Sequence, residues 1–181
     1  MAIKTFTTGE VLTASDTNTY LANSGLVYVT SATVGSGVTS IPISNAFSST
    51  YKDYRIVISN VLGTVSNAPL QLQLNNSTGS TYKSTSTYMV YGSTAFNAYA
   101  PATATVARIG WTDTSNDINV IIDMCSPQIA FITTWNSYGA NQTITYQSAG
   151  IDASTNQSTG FTITGDTFTG GTITVYGYRK A

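Results

Sequence analysis

Histidine is absent from this 181-residue chain, cysteine occurs once, and only 8% of the residues are charged. An average soluble domain carries about 25% charged residues. Without histidine, the usual Ser–His–Asp and Cys–His catalytic arrangements cannot be built. The seven basic residues are few and scattered, whereas a nucleic-acid interface needs clustered Lys and Arg to neutralise phosphates. We therefore expect neither these hydrolase classes nor nucleic-acid binding.

The single cysteine, Cys125, excludes a disulfide within the chain. It ends an apolar run typical of a strand, so we predict a small buried thiol rather than a catalytic one, which would need an activating group. The N-terminal sequence lacks the apolar segment of a secretory signal. No apolar run approaches the roughly 18 residues of a membrane span. We expect synthesis in a cytoplasm and no membrane partner.

Hydroxyl side chains take the place of the missing charges. The chain has 21 Ser and 32 Thr. Thr, Val, Ile and Tyr favour strands, whereas the good helix formers Glu, Lys and Arg are scarce. With 41% hydrophobic and 11% aromatic residues, a chain of this length can bury the core of one domain. The composition predicts an all-β protein.

The chain divides into two unequal parts. Residues 1–25 read as an attachment arm with a short helix, in which Thr13 and Asp16 are spaced as a capping box and Gly25 stands where a C-cap glycine falls. Residues 26–181 contain short strand-like runs separated by turn residues, which predicts an antiparallel β-sandwich of jelly-roll type. The predicted strands are residues 26–33, 39–43, 53–61, 70–74, 87–91, 104–111, 118–125, 129–135, 142–150, 160–164 and 171–179.

The stretch 81–100 is the richest in aromatic residues, and we predict a long surface loop over residues 92–101. Aromatic side chains in loops on a rigid β scaffold are a common means of recognition. These side chains would either stack on a host-surface glycan, or pack against a neighbouring subunit or their own core. The candidate contact residues are Tyr82, Tyr88, Tyr91, Phe96 and Tyr99.

Aspartates are the remaining candidates for chemistry. A glycosidase pair would come from Asp113, Asp117, Asp123, Asp152 and Asp166, but aspartates in turns commonly stabilise the turn itself. The segment 113–117 offers oxygen atoms at alternate positions that suit calcium, although it lacks the glycine and distal glutamate of the helix-loop-helix calcium motif. We predict no catalytic residue, no metal site and no cofactor.

Both ends of the chain resemble known sequences. Residues 6–21, FTTGEVLTASDTNTYL, resemble the opening of virion proteins of tailed bacteriophages, and residues 170–180, GGTITVYGYRK, resemble their closing strand. The resemblance implies a virion component, a homotrimer anchored to the particle by its N-terminus. The implied attachment residues are Phe6, Gly9, Val11, Leu12, Asp16, Asn18, Tyr20 and Leu21.

The expected function is therefore that of a non-enzymatic bacteriophage structural protein, assembled into the virion in the host cytoplasm. It would be a tail-fibre or tail-associated appendage that binds other virion proteins and contacts a host-surface glycan. The alternative is a capsid decoration, or cement, protein that bridges major capsid subunits. Two rival functional classes are a polysaccharide depolymerase and a free-standing lectin. We expect no depolymerase activity.

Overall fold

A computed structural model describes residues 7–11, 13–16, 25–115 and 117–179. These residues are nearly all in strands or turns, as the composition predicts. The described part of the N-terminal helix, α1, is only Ala14–Asp16. The strands are β1 (Leu26–Thr33), β2 (Ser36–Val38), β3 (Ile41–Ile43), β4 (Tyr51–Gly63), β5 (Pro69–Leu74), β6 (Tyr82–Val90), β7 (Phe96–Tyr99), β8 (Ala107–Trp111), β9 (Ile118–Cys125), β10 (Thr133–Ala140), β11 (Ile144–Asp152), β12 (Phe161–Thr164), β13 (Phe168–Thr169) and β14 (Thr172–Arg179).

The strands form two antiparallel sheets. The large sheet has the order β1-β14-β4-β9-β10-β11-β6-β7, with β2 and β13 attached beside β4. The small sheet has the order β3-β12-β5-β8. Four of the pairings are nested along the chain: β1 with β14, β3 with β12, β4 with β9 and β5 with β8. The strands β10, β11, β6 and β7 then widen the large sheet beyond β9.

Side chains from both sheets form one hydrophobic core. In β5, buried and more exposed side chains alternate as the sequence pattern indicates: Leu70, Leu72 and Leu74 are buried, and the two glutamines between them are not. In β14, Ile173 and Val175 face the core. The largest fully buried side chains include Trp135, Tyr54, Tyr82, Phe161 and Phe168.

Two predicted segments are wrong. The apolar run at residues 129–135 was expected to be a buried strand, but Ile129 and Phe131 are exposed in a turn, and the strand begins at Thr133. Its true signal is the alternation of buried and exposed residues from Thr133 to Ala140, which apolar content alone does not reveal. The predicted loop at residues 92–101 contains β7, whose backbone pairs with β6. We call this β6–β7 unit, residues 82–99, the aromatic hairpin.

The capping box at the N-terminal helix is confirmed. The Thr13 amide donates to Asp16 Oδ2 at 3.1 Å, and the Asp16 amide donates to Thr13 Oγ1 at 3.1 Å. Gly25 has a φ of 90°, in the left-handed region that C-cap glycines use. Residues 17–24, over which we predicted the rest of the helix, lie outside the described residues. Among the described helical residues, none belongs to a helix long and apolar enough to cross a bilayer.

Candidate functional site

The prediction of Tyr82 as a contact residue is wrong, because its side chain is only 1% exposed. Its hydroxyl donates to the Ser77 carbonyl at 2.9 Å and accepts from the Leu74 amide at 2.8 Å. Burial raises the pKa of Tyr82 to about 12, despite these two hydrogen bonds. Tyr82 therefore joins the aromatic hairpin to β5 and is not available to a ligand or a subunit.

The other four aromatic residues are accessible to different degrees. Phe96 is 67% exposed, Tyr91 55% and Tyr99 44%. Tyr88 is partly buried and packs against Trp111, with 5.1 Å between ring centroids. The prediction of exposed rings in this region therefore agrees with the structure, although the rings stand on a paired hairpin rather than on a loop.

The two aromatic residues of β7 present their rings to two different surfaces. Phe96 pairs with Met89 and lines a groove of about 280 Å³ on the outer face of the large sheet, the face opposite the core. Tyr99 instead lies against the guanidinium of Arg108 on β8, whose Cζ is 4.0 Å from the ring centroid. The five candidates consequently do not form a single site.

Tyr138 is the central feature of the outer face. It is 47% exposed and contributes to the groove beside Phe96 and to a second groove of about 250 Å³ that includes Val57 and Ile121. Its ring therefore forms a ridge between two depressions. Tyr138 is not among the predicted contact residues, because the predicted strand at 129–135 ends before it, whereas β10 extends to Ala140.

Charge on the outer face is sparse, and two of its charged residues form an ion pair. Along β10 and β11, both described throughout, the outward positions carry only neutral side chains. At the centre of the sheet Arg55 pairs with Asp123, and Tyr178 donates to the same carboxylate. The hydrogen bonds from Arg55 hold the pKa of Asp123 below its ordinary value. A face with few charges and exposed apolar rings is typical of an interaction surface.

Cys125 is exposed, so the prediction of a buried thiol is wrong. It occupies the last, outward-facing position of β9, between Asp53 on β4 and Thr134 on β10. Partial desolvation and then the charge of Asp53 raise the pKa of the thiol above its ordinary value. The thiol is therefore protonated at neutral pH, which is unfavourable for a nucleophile.

Two of the aspartates considered for catalysis or metal binding, Asp113 and Asp166, accept hydrogen bonds from their own loop and from a neighbouring loop. Asp113 is 3% exposed and accepts from the amides of Ser115 and Gln142. Asp166 accepts from Thr64 and Val65. Burial opposes ionisation of Asp166, but these hydrogen bonds keep its pKa below the ordinary value. Within the described ranges, no three His, Cys, Asp or Glu side chains converge as metal ligands would.

Only part of the predicted attachment segment can be located. Val11 is 79% exposed, Gly9 has a φ of 89°, and Asp16 belongs to the capping box. The remaining predicted attachment residues lie outside the described residues; they are Phe6, Leu12, Asn18, Tyr20 and Leu21.

Comparison with known proteins adds no relative: no family model, no curated protein and no solved structure matches this chain.

Proposed function

We propose that the chain is a non-enzymatic structural protein of a bacteriophage virion, made of a jelly-roll body and an N-terminal attachment arm. The observation that carries this proposal is the nested pairing of eight strands. In chain order these strands are β1, β3, β4, β5, β8, β9, β12 and β14, and the first pairs with the eighth, the second with the seventh, the third with the sixth and the fourth with the fifth. A long antiparallel hairpin rolled up in this way gives two Greek keys, the jelly-roll arrangement found in viral capsid and lectin domains.

The outer face of the large sheet supports self-association. Its exposed Tyr138, Phe96 and Met89 supply apolar area, and the paired Arg55 and Asp123 can be covered without leaving an unpaired ion. The resemblance at the chain ends implies three copies. The homotrimer is part of the proposal, with this face as the contact between copies.

The arm supports attachment to another virion protein. Thr7–Val11 is exposed throughout, so this segment is accessible to another protein. Deleting residues 1–25 should therefore leave a body that melts cooperatively at an unchanged temperature but no longer enters particles. Incorporation of the truncated chain into virions would refute the attachment role.

The favoured position is a tail fibre or tail-associated appendage whose exposed aromatic rings outside the contact between copies, such as Tyr99, contact a host-surface glycan. The alternative is a capsid decoration protein that bridges major capsid subunits. Quantitative mass spectrometry of purified virions separates the two, since a few dozen copies or fewer indicate the tail and hundreds indicate the capsid. Absence from purified particles would overturn the structural role altogether. Release of reducing sugar from host polysaccharide by the purified chain would overturn the non-enzymatic assignment.

A further inference from the structure

Arg108 lies where the edges of the two sheets meet. Its strand β8 is the last strand of the small sheet, and β7 is the last strand of the large sheet. The guanidinium reaches from one edge to the other: its carbon is 4.0 Å from the ring centroid of Tyr99 and 5.3 Å from that of Trp111. The cation is therefore held by aromatic faces, an arrangement that fixes the plane of the guanidinium.

This arginine differs from Arg55 in its charge partner. Arg55 makes two hydrogen bonds to the carboxylate of Asp123. Among the residues that the structure describes, no carboxylate or carbonyl accepts a hydrogen bond from the Arg108 side chain. Partial burial lowers the pKa of Arg108, and the neighbouring Tyr99 and Tyr88 act in the opposite direction. Five donors in a planar fork, held in place and without an anion, suit bidentate binding of a carboxylate or a phosphate.

The ring beside the cation indicates what carries the anion. Tyr99 is 44% exposed, so its ring and hydroxyl remain accessible beside the guanidinium. Aromatic rings of this kind present an apolar face with a polar rim, which fits a sugar ring bearing hydroxyl groups. We propose that Arg108 and Tyr99 form a binding site for an acidic saccharide, whose carboxylate or phosphate is held by Arg108. This site does not rest on the virion role and is tested on the purified chain.

NMR of the arginine side chains gives a direct test. The chain has three arginines, Arg55, Arg108 and Arg179, so the Nε–Hε region has few signals, and the loss of one in Arg108→Lys assigns Arg108. Titration with trigalacturonate or glucose 6-phosphate should shift the Arg108 signal saturably while the Arg55 signal stays in place. The neutral trisaccharide maltotriose should leave the Arg108 signal unshifted.

Variants and simple ions complete the test. Arg108→Lys should weaken binding of both acidic saccharides roughly tenfold, because a lysine cannot make the bidentate contact, and it should melt cooperatively like the unmodified chain. The matched control Lys83→Gln removes an exposed cation elsewhere and should bind normally. Equal affinity for inorganic phosphate and glucose 6-phosphate would overturn the saccharide assignment. If neither acidic saccharide shifts the Arg108 signal, Arg108 serves only to cover the sheet edges, and the inference is wrong.

Discussion

Arg55 and Asp123 face each other on neighbouring strands of the large sheet and form a bidentate ion pair. Arg55 Nε lies 2.8 Å from Asp123 Oδ1, and Nη2 lies 2.7 Å from Oδ2. The Tyr178 hydroxyl donates to Oδ1 at 2.8 Å. The two charged side chains are only 30% and 33% exposed. The pair neutralises two of the few charges on the outer face, which also carries Asp53 and Lys83.

Stability should depend on pH through this pair. The pKa of Asp123 is lower in the folded protein than in the unfolded chain. The ionised carboxylate therefore stabilises the fold above the unfolded pKa of about 4, and this stabilisation is lost as the pH falls through the lower folded pKa. Asp123→Asn should lower stability by about 1 kcal/mol at neutral pH, given the partial exposure. Urea melts at neutral pH and near pH 3 should show this difference shrinking in acid. The exposed Asp117→Asn is the control; an Asp123→Asn deficit that is the same at both pH values would contradict the assignment.

Removing the hydroxyl of Tyr82 should destabilise the fold, whereas removing that of Tyr91 should not. Tyr82→Phe leaves the Leu74 amide and the Ser77 carbonyl without their partner in a buried place, which costs about 1–3 kcal/mol. Tyr91 is 55% exposed, so Tyr91→Phe should melt like the unmodified chain. Thermal unfolding followed by circular dichroism measures both variants. Equal melting temperatures would show that Tyr82 does not tie the hairpin to β5.

Gly150 should not tolerate a side chain. A Cβ at this position would meet the Lys83 carbonyl oxygen, which is backbone, and Trp135 Cζ2 at 2.5 Å. Because neither the strand nor the buried indole can move freely, Gly150→Ala should cost about 3 kcal/mol in the free energy of unfolding. The control is Gly79→Ala, whose nearest atom is 3.8 Å away. Chemical denaturation compares them, and a loss equal to that of Gly79→Ala would contradict the packing.

A charge on the outer face should prevent self-association. Tyr138→Lys places an unpaired cation on the ridge between the two grooves, where covering it would require desolvation without a counter-ion. Light scattering after size exclusion should give about three times the 19.1 kDa chain mass for the unmodified protein and the single-chain mass for the variant. Val65→Lys changes a 55% exposed residue outside this face and should keep the oligomer. A trimer that survives Tyr138→Lys would remove this face as the contact.

Local patterns in the sequence were sufficient for several elements. The β1 and β9 boundaries are confirmed as predicted, and the leucines of β5 alternate as their spacing indicates. Pro42 favours an edge strand or a bend, and the strand that contains it, β3, is an edge of the small sheet. The reciprocal hydrogen bonds of Thr13 and Asp16 follow from a three-residue spacing. Each of these features depends on residues that are close together in the chain, so the sequence contains all the information needed to predict it.

The candidate site could not be predicted in the same way. Tyr82 and Tyr99 belong to one hairpin and have the same side chain, yet one is buried against β5 and the other is exposed beside Arg108. The difference arises because Tyr82 faces the core, while Tyr99 stands on the edge strand where the two sheets meet. Arg108 carried no sequence signal, since a lone arginine in a strand is ordinary. Its aromatic setting exists only after β7 and β8 are brought together.

By itself, the sequence determined an all-β protein with few charges and no histidine. These properties follow from composition and from periodicities of two to four residues, which act locally. The tertiary structure decided which strands pair, which aromatic rings remain exposed and which arginine has a carboxylate partner. Those outcomes depend on the register between strands that are far apart in the chain, such as the strands that carry Arg55 and Asp123. A register shift of one residue would turn each of these side chains to the opposite face of the sheet.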